Sequence, residues 1–180
     1  MAVKELGIVI YGVCNHRDGF WEEWLDRAKE LIGMIGYPPT HVGIVGTSYP
    51  AKLRTLRRSE QKIRTVIANG ELVRALSVCS LPKDYHTELD SSCYLSMNVR
   101  AWGTYEKYSN YAYCELNFDE CSKELVEKIR SVLLEFVEME LCEIFTMDKA
   151  QVPYNYAFKG MGDDLSKYRT LEVLSRTERE

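Results

Sequence analysis

Residues 94–118 constrain the fold most, because two stretches there alternate in hydrophobicity with a period of two. In the first arm Leu95, Met97, Val99 and Ala101 alternate with Tyr94, Ser96, Asn98, Arg100 and Trp102. In the second, Ala112, Cys114, Leu116 and Phe118 alternate with Tyr111, Tyr113, Glu115 and Asn117. Successive side chains on a strand point to opposite faces, so this pattern predicts a β-hairpin turning through GTYEKY with one apolar face. A sheet with such a face needs a covering layer, which makes the chain more than a helical bundle.

The flanking segments supply that layer. LGIVIYGV, residues 6–13, is a continuous apolar run and reads as a buried strand. Asp18 is placed to cap a helix whose apolar residues run from Phe20 and Trp24 to Ile32 and Ile35, and Gly36 with Pro38 and Pro39 stops it. HVGIVG, residues 41–46, is a second strand, so a parallel pair with a right-handed crossover is expected. Residues 51–68 read as an amphipathic helix with Leu53, Leu56, Ile63 and Ile67 on one stripe, ended by Asn69 and Gly70. A strand follows at 72–79, then a polar loop from Pro82 to Asp90.

Beyond the hairpin, a third helix at 120–138 carries Leu125, Ile129, Val132, Leu133 and Phe136 on one side and Glu120, Glu124, Glu127, Glu135 and Glu138 on the other. LCEIFTMD, residues 141–148, reads as a core strand, and Pro153 to Phe158 as an aromatic edge strand. The fold expected is α+β: a mixed, largely antiparallel sheet with about three amphipathic helices mainly on one face. Residues 1–165 form one domain, and 166–180 a charged, mobile tail.

A chain of 180 residues is long enough to bury a core without staples. The six cysteines, Cys14, Cys79, Cys93, Cys114, Cys121 and Cys142, are dispersed and contain no CxxC. The N-terminus lacks the long apolar region of a signal peptide, so reduced thiols and a cytoplasmic location are expected. No apolar stretch reaches the ~20 residues of a membrane helix. A net charge of −4 argues against nucleic acid and suits a basic protein partner.

Candidate chemistry is sparse. Cys14, His16 and Asp18 hold the residue types of a nucleophile–base arrangement, which keeps a small hydrolase or transferase as an alternative. Three side chains within five residues rarely converge on one point, however. His16, His41 and His86 lie in separate segments without paired ligand spacing, so no metal or cofactor is expected. GIVGTS, residues 43–48, lacks the lysine of a phosphate-binding loop.

The polar face of the hairpin is the positive signal. Asn98, Arg100, Trp102, Tyr111, Tyr113 and Glu115 share it, with Tyr105 and Tyr108 in the turn. Trp, Tyr and Arg are enriched at binding hot spots, which makes these eight residues a candidate partner-binding surface. A helix lying over the same face would explain the same residues as core. Homodimerisation through it, as in a structural or regulatory subunit, is a third reading.

The strand leading into FWEEW, the tyrosine-rich hairpin and the closing FTMDKAQVPYNYAFKG together resemble bacterial immunity proteins encoded beside polymorphic or secretion-system toxins. The chain is similar to the immunity protein 52 family. The resemblance implies a non-enzymatic inhibitor that binds and occludes one cognate, cytoplasm-acting toxin, and it carries over no catalytic residues.

Overall fold

In a computed structural model the chain forms one eight-stranded sheet flanked by helices; the structure describes residues 3–99, 110–158 and 165–179. In chain order the strands are β1 (Lys4–Cys14), β2 (His41–Gly46), β3 (Leu53–Thr55), β4 (Val73–Ser80), β5 (Cys93–Asn98), β6 (Tyr111–Asn117), β7 (Val137–Asp148) and β8 (Glu172–Glu178). The helices are α1 (Phe20–Ile35), α2 (Leu56–Ala68), α3 (Lys123–Leu134) and α4 (Pro153–Phe158). The spatial order is β3-β2-β4-β5-β6-β1-β7-β8, and each neighbouring pair is antiparallel. No helix among the described residues is long and apolar enough to cross a membrane.

The expected hairpin is present, with Cys93↔Leu116 through Asn98↔Tyr111 in register. Its apolar set faces the main core. Leu95, Met97, Ala112, Cys114 and Leu116 pack there with Leu6, Ile8 and Ile10 of β1 under α1, α2 and α3. Trp24 of α1 is fully buried, and its indole N–H donates to the Leu76 carbonyl at 2.8 Å, so its one polar atom is satisfied. Phe136 completes the cluster with edge-on contacts to Phe20 and Trp24.

Several elements differ from the expectation. β1 and β2 run in the same direction but are not a pair, because β4, β5 and β6 lie between them. The helix expected from residue 51 begins at Leu56; Leu53–Thr55 pair with β2 instead. Gly19 in a left-handed conformation, not the Asp18 side chain, precedes α1, while Gly36 ends it as expected. Pro153–Phe158 is the short helix α4 rather than an edge strand. Pro153 at the first helical position supplies a preset φ, and buried Pro153, Tyr156 and Ala157 recur at i, i+3 and i+4. Within the expected tail, Glu172–Glu178 pair with β7 as the sheet's last strand. α4 packs on the face opposite the three longer helices, so the sheet carries helices on both faces.

Candidate functional site

α4 decides the fate of the hairpin's polar face. Register places Tyr113 of β6 beside Val9 of β1 and Ser96 of β5, and Tyr111 beside Tyr11 and Asn98. This row is a second core, in which Tyr11, Tyr111, Tyr113, Phe145 and Met147 lie beneath Tyr156 and Ala157. Tyr111 and Tyr113 are 0% exposed, and Asn98 and Glu115 are buried as well. These four therefore form no open docking surface, because a helix from forty residues downstream covers their face. Arg100, Trp102, Tyr105 and Tyr108 lie outside the described residues.

The hydroxyls under α4 are paired locally. Tyr11 donates to the Ala157 carbonyl at 2.7 Å, Tyr113 to Glu115 at 2.6 Å, and Tyr111 and Tyr154 share a bond of 3.2 Å. Asn98 donates to the Ser96 hydroxyl at 2.7 Å. Burial pushes the phenols of Tyr111 and Tyr113 well up, so both stay neutral.

α4 covers only part of this face. Where it stops, small residues on β2, β4 and β5, among them Gly43, Ala75, Ser77 and Ser96, leave a hollow of about 210 Å³. A second hollow of about 150 Å³ shares Glu88, Tyr94 and Tyr154 with it and reaches Glu115, Ser91 and Lys149. Tyr94 and Tyr154 stand between the two, with ring centroids 5.6 Å apart.

Glu115 and Lys149 both line the smaller hollow, and the Lys149 ammonium pairs with a second buried carboxylate, Glu5. Lys149 lies 3.0 Å from Glu5 and donates to the Ser91 carbonyl at 2.5 Å. Glu115 accepts from the Tyr113 hydroxyl. Burial, opposed by that hydrogen bond and reinforced by Glu5, pushes the Glu115 carboxyl up to about 7. Glu5 is raised too, by burial that outweighs Lys149, and its Oε2 has no hydrogen-bond partner among the described residues. The backbone strain of the wall sits at Val152, whose φ of 56° is unusual for a β-branched residue.

A larger groove of about 470 Å³ lies on the other side of the molecule between α1 and α3. Leu31, Met34 and Val132 contribute its apolar part, while Glu30, Glu124, Glu127 and Glu135 line it together with Arg27 and Lys128. Four carboxylates against two cations leave a net of −2. Arg27 is held between Glu30 and Glu135, and Glu127 meets Arg130 at 3.4 Å. Met34 is 45% exposed on its rim.

The reactive-residue candidates are not assembled into a site. Cys14 belongs to the main core, and burial pushes its thiol up to about 12, away from a reactive thiolate. His16 is exposed and rests against Phe20, with centroids 4.8 Å apart. The basic side of α2 is partly taken up in ion pairs, since Arg64 and Lys29 both meet Glu60 at 2.7 Å. Gly46 closes a tight turn with Tyr49 rather than a phosphate loop. Among the described residues no group of three or more His, Cys, Asp or Glu is arranged to hold a metal ion.

Sequence reading missed the two hollows and the Glu5–Lys149–Glu115 cluster. Its one visible trace was a glutamate inside each of two apolar strands. No family model matches the chain, and neither a curated protein nor a solved structure matches it.

Proposed function

We propose that this chain is a non-enzymatic protein-binding module that neutralises a basic partner protein by covering it, as an immunity protein does its cognate toxin. The observation that carries this reading is the groove between α1 and α3, an apolar floor with a net-negative rim. Exposed Met34 offers an adaptable apolar contact, and the surrounding carboxylates steer a cationic surface toward it. Glu124 stays ionised, since hydrogen bonds from the first turn of α3 and from Ser122 hold its carboxyl below the usual range. The buried, neutral thiol of Cys14 weighs against the hydrolase or transferase alternative.

The test is binding and growth rescue with the product of the adjacent reading frame. A one-to-one complex that weakens as salt rises, and suppression of that product's toxicity, are expected. The double variant Glu124→Lys, Glu127→Lys should bind at least about tenfold more weakly while keeping its melting temperature. Unchanged affinity in that variant moves the contact away from the groove. No complex and no rescue overturn the protein-binding reading itself.

A further inference from the structure

The smaller hollow on the α4 side has a chemistry of its own, independent of the groove and of any protein partner. We propose that it is a binding site for a cationic group on a short apolar stem, an alkylammonium or a guanidinium, seated against Tyr94 and Tyr154 with its charge on Glu115.

The argument starts from charge. Among the described residues, Glu5 and Glu115 are buried beside a single ammonium, that of Lys149. Lys149 is committed to Glu5 and to the Ser91 carbonyl, whereas Glu115 accepts from a neutral donor, the Tyr113 hydroxyl. A buried carboxylate without a cation in contact is costly, and it escapes by taking up a proton. A ligand cation offers the other escape. Glu5 Oε2, which has no partner among the described residues, marks the cluster as short of donors.

The walls select what carries the charge. Tyr94 and Tyr154 present aromatic surface, and Leu89, Val152 and Pro153 present aliphatic surface. Aromatic faces attract cations and pack against a methylene stem. A volume of about 150 Å³ equals roughly five waters, enough for a guanidinium with two or three carbons. The wall is fixed rather than adaptable, because Val152 is locked in its strained conformation between bonds to Lys149 and from Asn155. Glu88 at the mouth adds attraction for a cation and none for an anion.

Binding depends on pH through Glu115. The titratable and charged groups facing it are Glu5 on β1, Tyr94 on β5, Tyr113 on its own strand, Lys149 beyond β7 and Tyr154 on α4. Burial keeps the tyrosines neutral and Lys149 is already paired, so a cation competes with the proton on Glu115. Affinity rises as pH climbs through neutrality.

The experiment titrates ethylguanidinium, its neutral isostere ethylurea, and a blocked peptide with one central arginine, following amide resonances of Ser91, Glu115 and Tyr154. Saturable shifts with a cationic probe and none with ethylurea are expected, with about a tenfold loss of affinity in Glu115→Gln. The peptide binding more tightly than ethylguanidinium supports the site as a receptor for an arginine side chain; equal or weaker binding supports it as a site for a small free guanidinium. Ethylurea binding as well as ethylguanidinium, full affinity in Glu115→Gln, or no saturable shift with any probe overturns the proposal. A measurement on the unaltered protein guards against a variant that fails to fold. The Glu115 carboxyl titration should move to lower pH in saturating ethylguanidinium, and an unmoved midpoint also overturns the proposal.

Discussion

Tyr113 shows at residue scale how one side chain serves packing and polarity together. Its ring is wholly buried beneath α4, and its hydroxyl donates to buried Glu115 at 2.6 Å. Tyr113→Ala should cost about 3–5 kcal/mol of folding stability, the range for emptying an aromatic core position. Tyr113→Phe keeps the ring but removes a donor from a buried carboxylate, so about 1–3 kcal/mol is expected. Denaturant titration measures both, and a loss below about 1 kcal/mol for the alanine variant would return this ring to the surface. Glu115 itself sets a pH dependence. Its carboxyl is raised from an ordinary 4.5 to about 7, so between those values the folded chain holds a proton that the unfolded chain has released. Stability from this group is complete below 4.5 and is lost as pH rises through about 7. Glu5 shifts the same way, whereas Glu60, where the Lys29 and Arg64 hydrogen bonds outweigh burial, acts oppositely. Glu115→Gln should flatten the fall in melting temperature across that window, and an identical profile would count against the shift.

At the scale of elements, backbone approach between strands matters more than propensity. β1 and β7 share the longest pairing of the sheet, interrupted by a bulge between Tyr11 and Gly12, where Tyr11 pairs Leu141 and Gly12 pairs Met139. A Cβ at Gly12 would fall 1.9 Å from the Glu138 carbonyl oxygen. Gly→Ala inside an ordinary strand gains about 0.5–1 kcal/mol, but here the clash is with backbone that cannot swing aside. Gly12→Ala should therefore destabilise by about 1–3 kcal/mol or more, with β7 amides losing protection in hydrogen exchange. A neutral or stabilising result would mean that the bulge relaxes freely. α4 is the opposite case, a helix of six residues, too short to form alone, that exists because Tyr156 and Ala157 are buried on the sheet.

The whole molecule is a sheet with a thick side and a thin side. Three helices cover one face, and α4 covers part of the other, beside which the hollows at Tyr94 occur. The same sealing governs the cysteines, all six of which are free thiols. Burial pushes Cys14, Cys79 and Cys121 up to about 12 and raises Cys142. In the native state alkylation should proceed far more slowly than for a free cysteine, and six thiols should react once the chain is denatured without reductant. A fast-reacting native thiol, or a denatured count below six, would contradict this packing.

What was legible in the residues is what repeats along the chain. Period-two alternation located the hairpin and its apolar face, and the 3.6-residue stripes located α1, α2 and α3, because burial of one face imprints its own period on an element. Those patterns also sorted Tyr111, Tyr113, Asn98 and Glu115 onto one side of the sheet. They carry no record of what lies above that side. The cover comes from Pro153–Phe158, a segment too short for a period to declare itself. β8 was hidden for a related reason. Every residue of Glu172–Glu178 is exposed, so no hydrophobic pattern marks it, and its strand conformation comes from backbone bonds to an edge that β7 supplies. The Glu5–Lys149–Glu115 cluster draws its members from three separate parts of the chain. Alternation depends on neighbours in sequence, whereas burial of a charge depends on neighbours in space, and only the folded sheet brings those together.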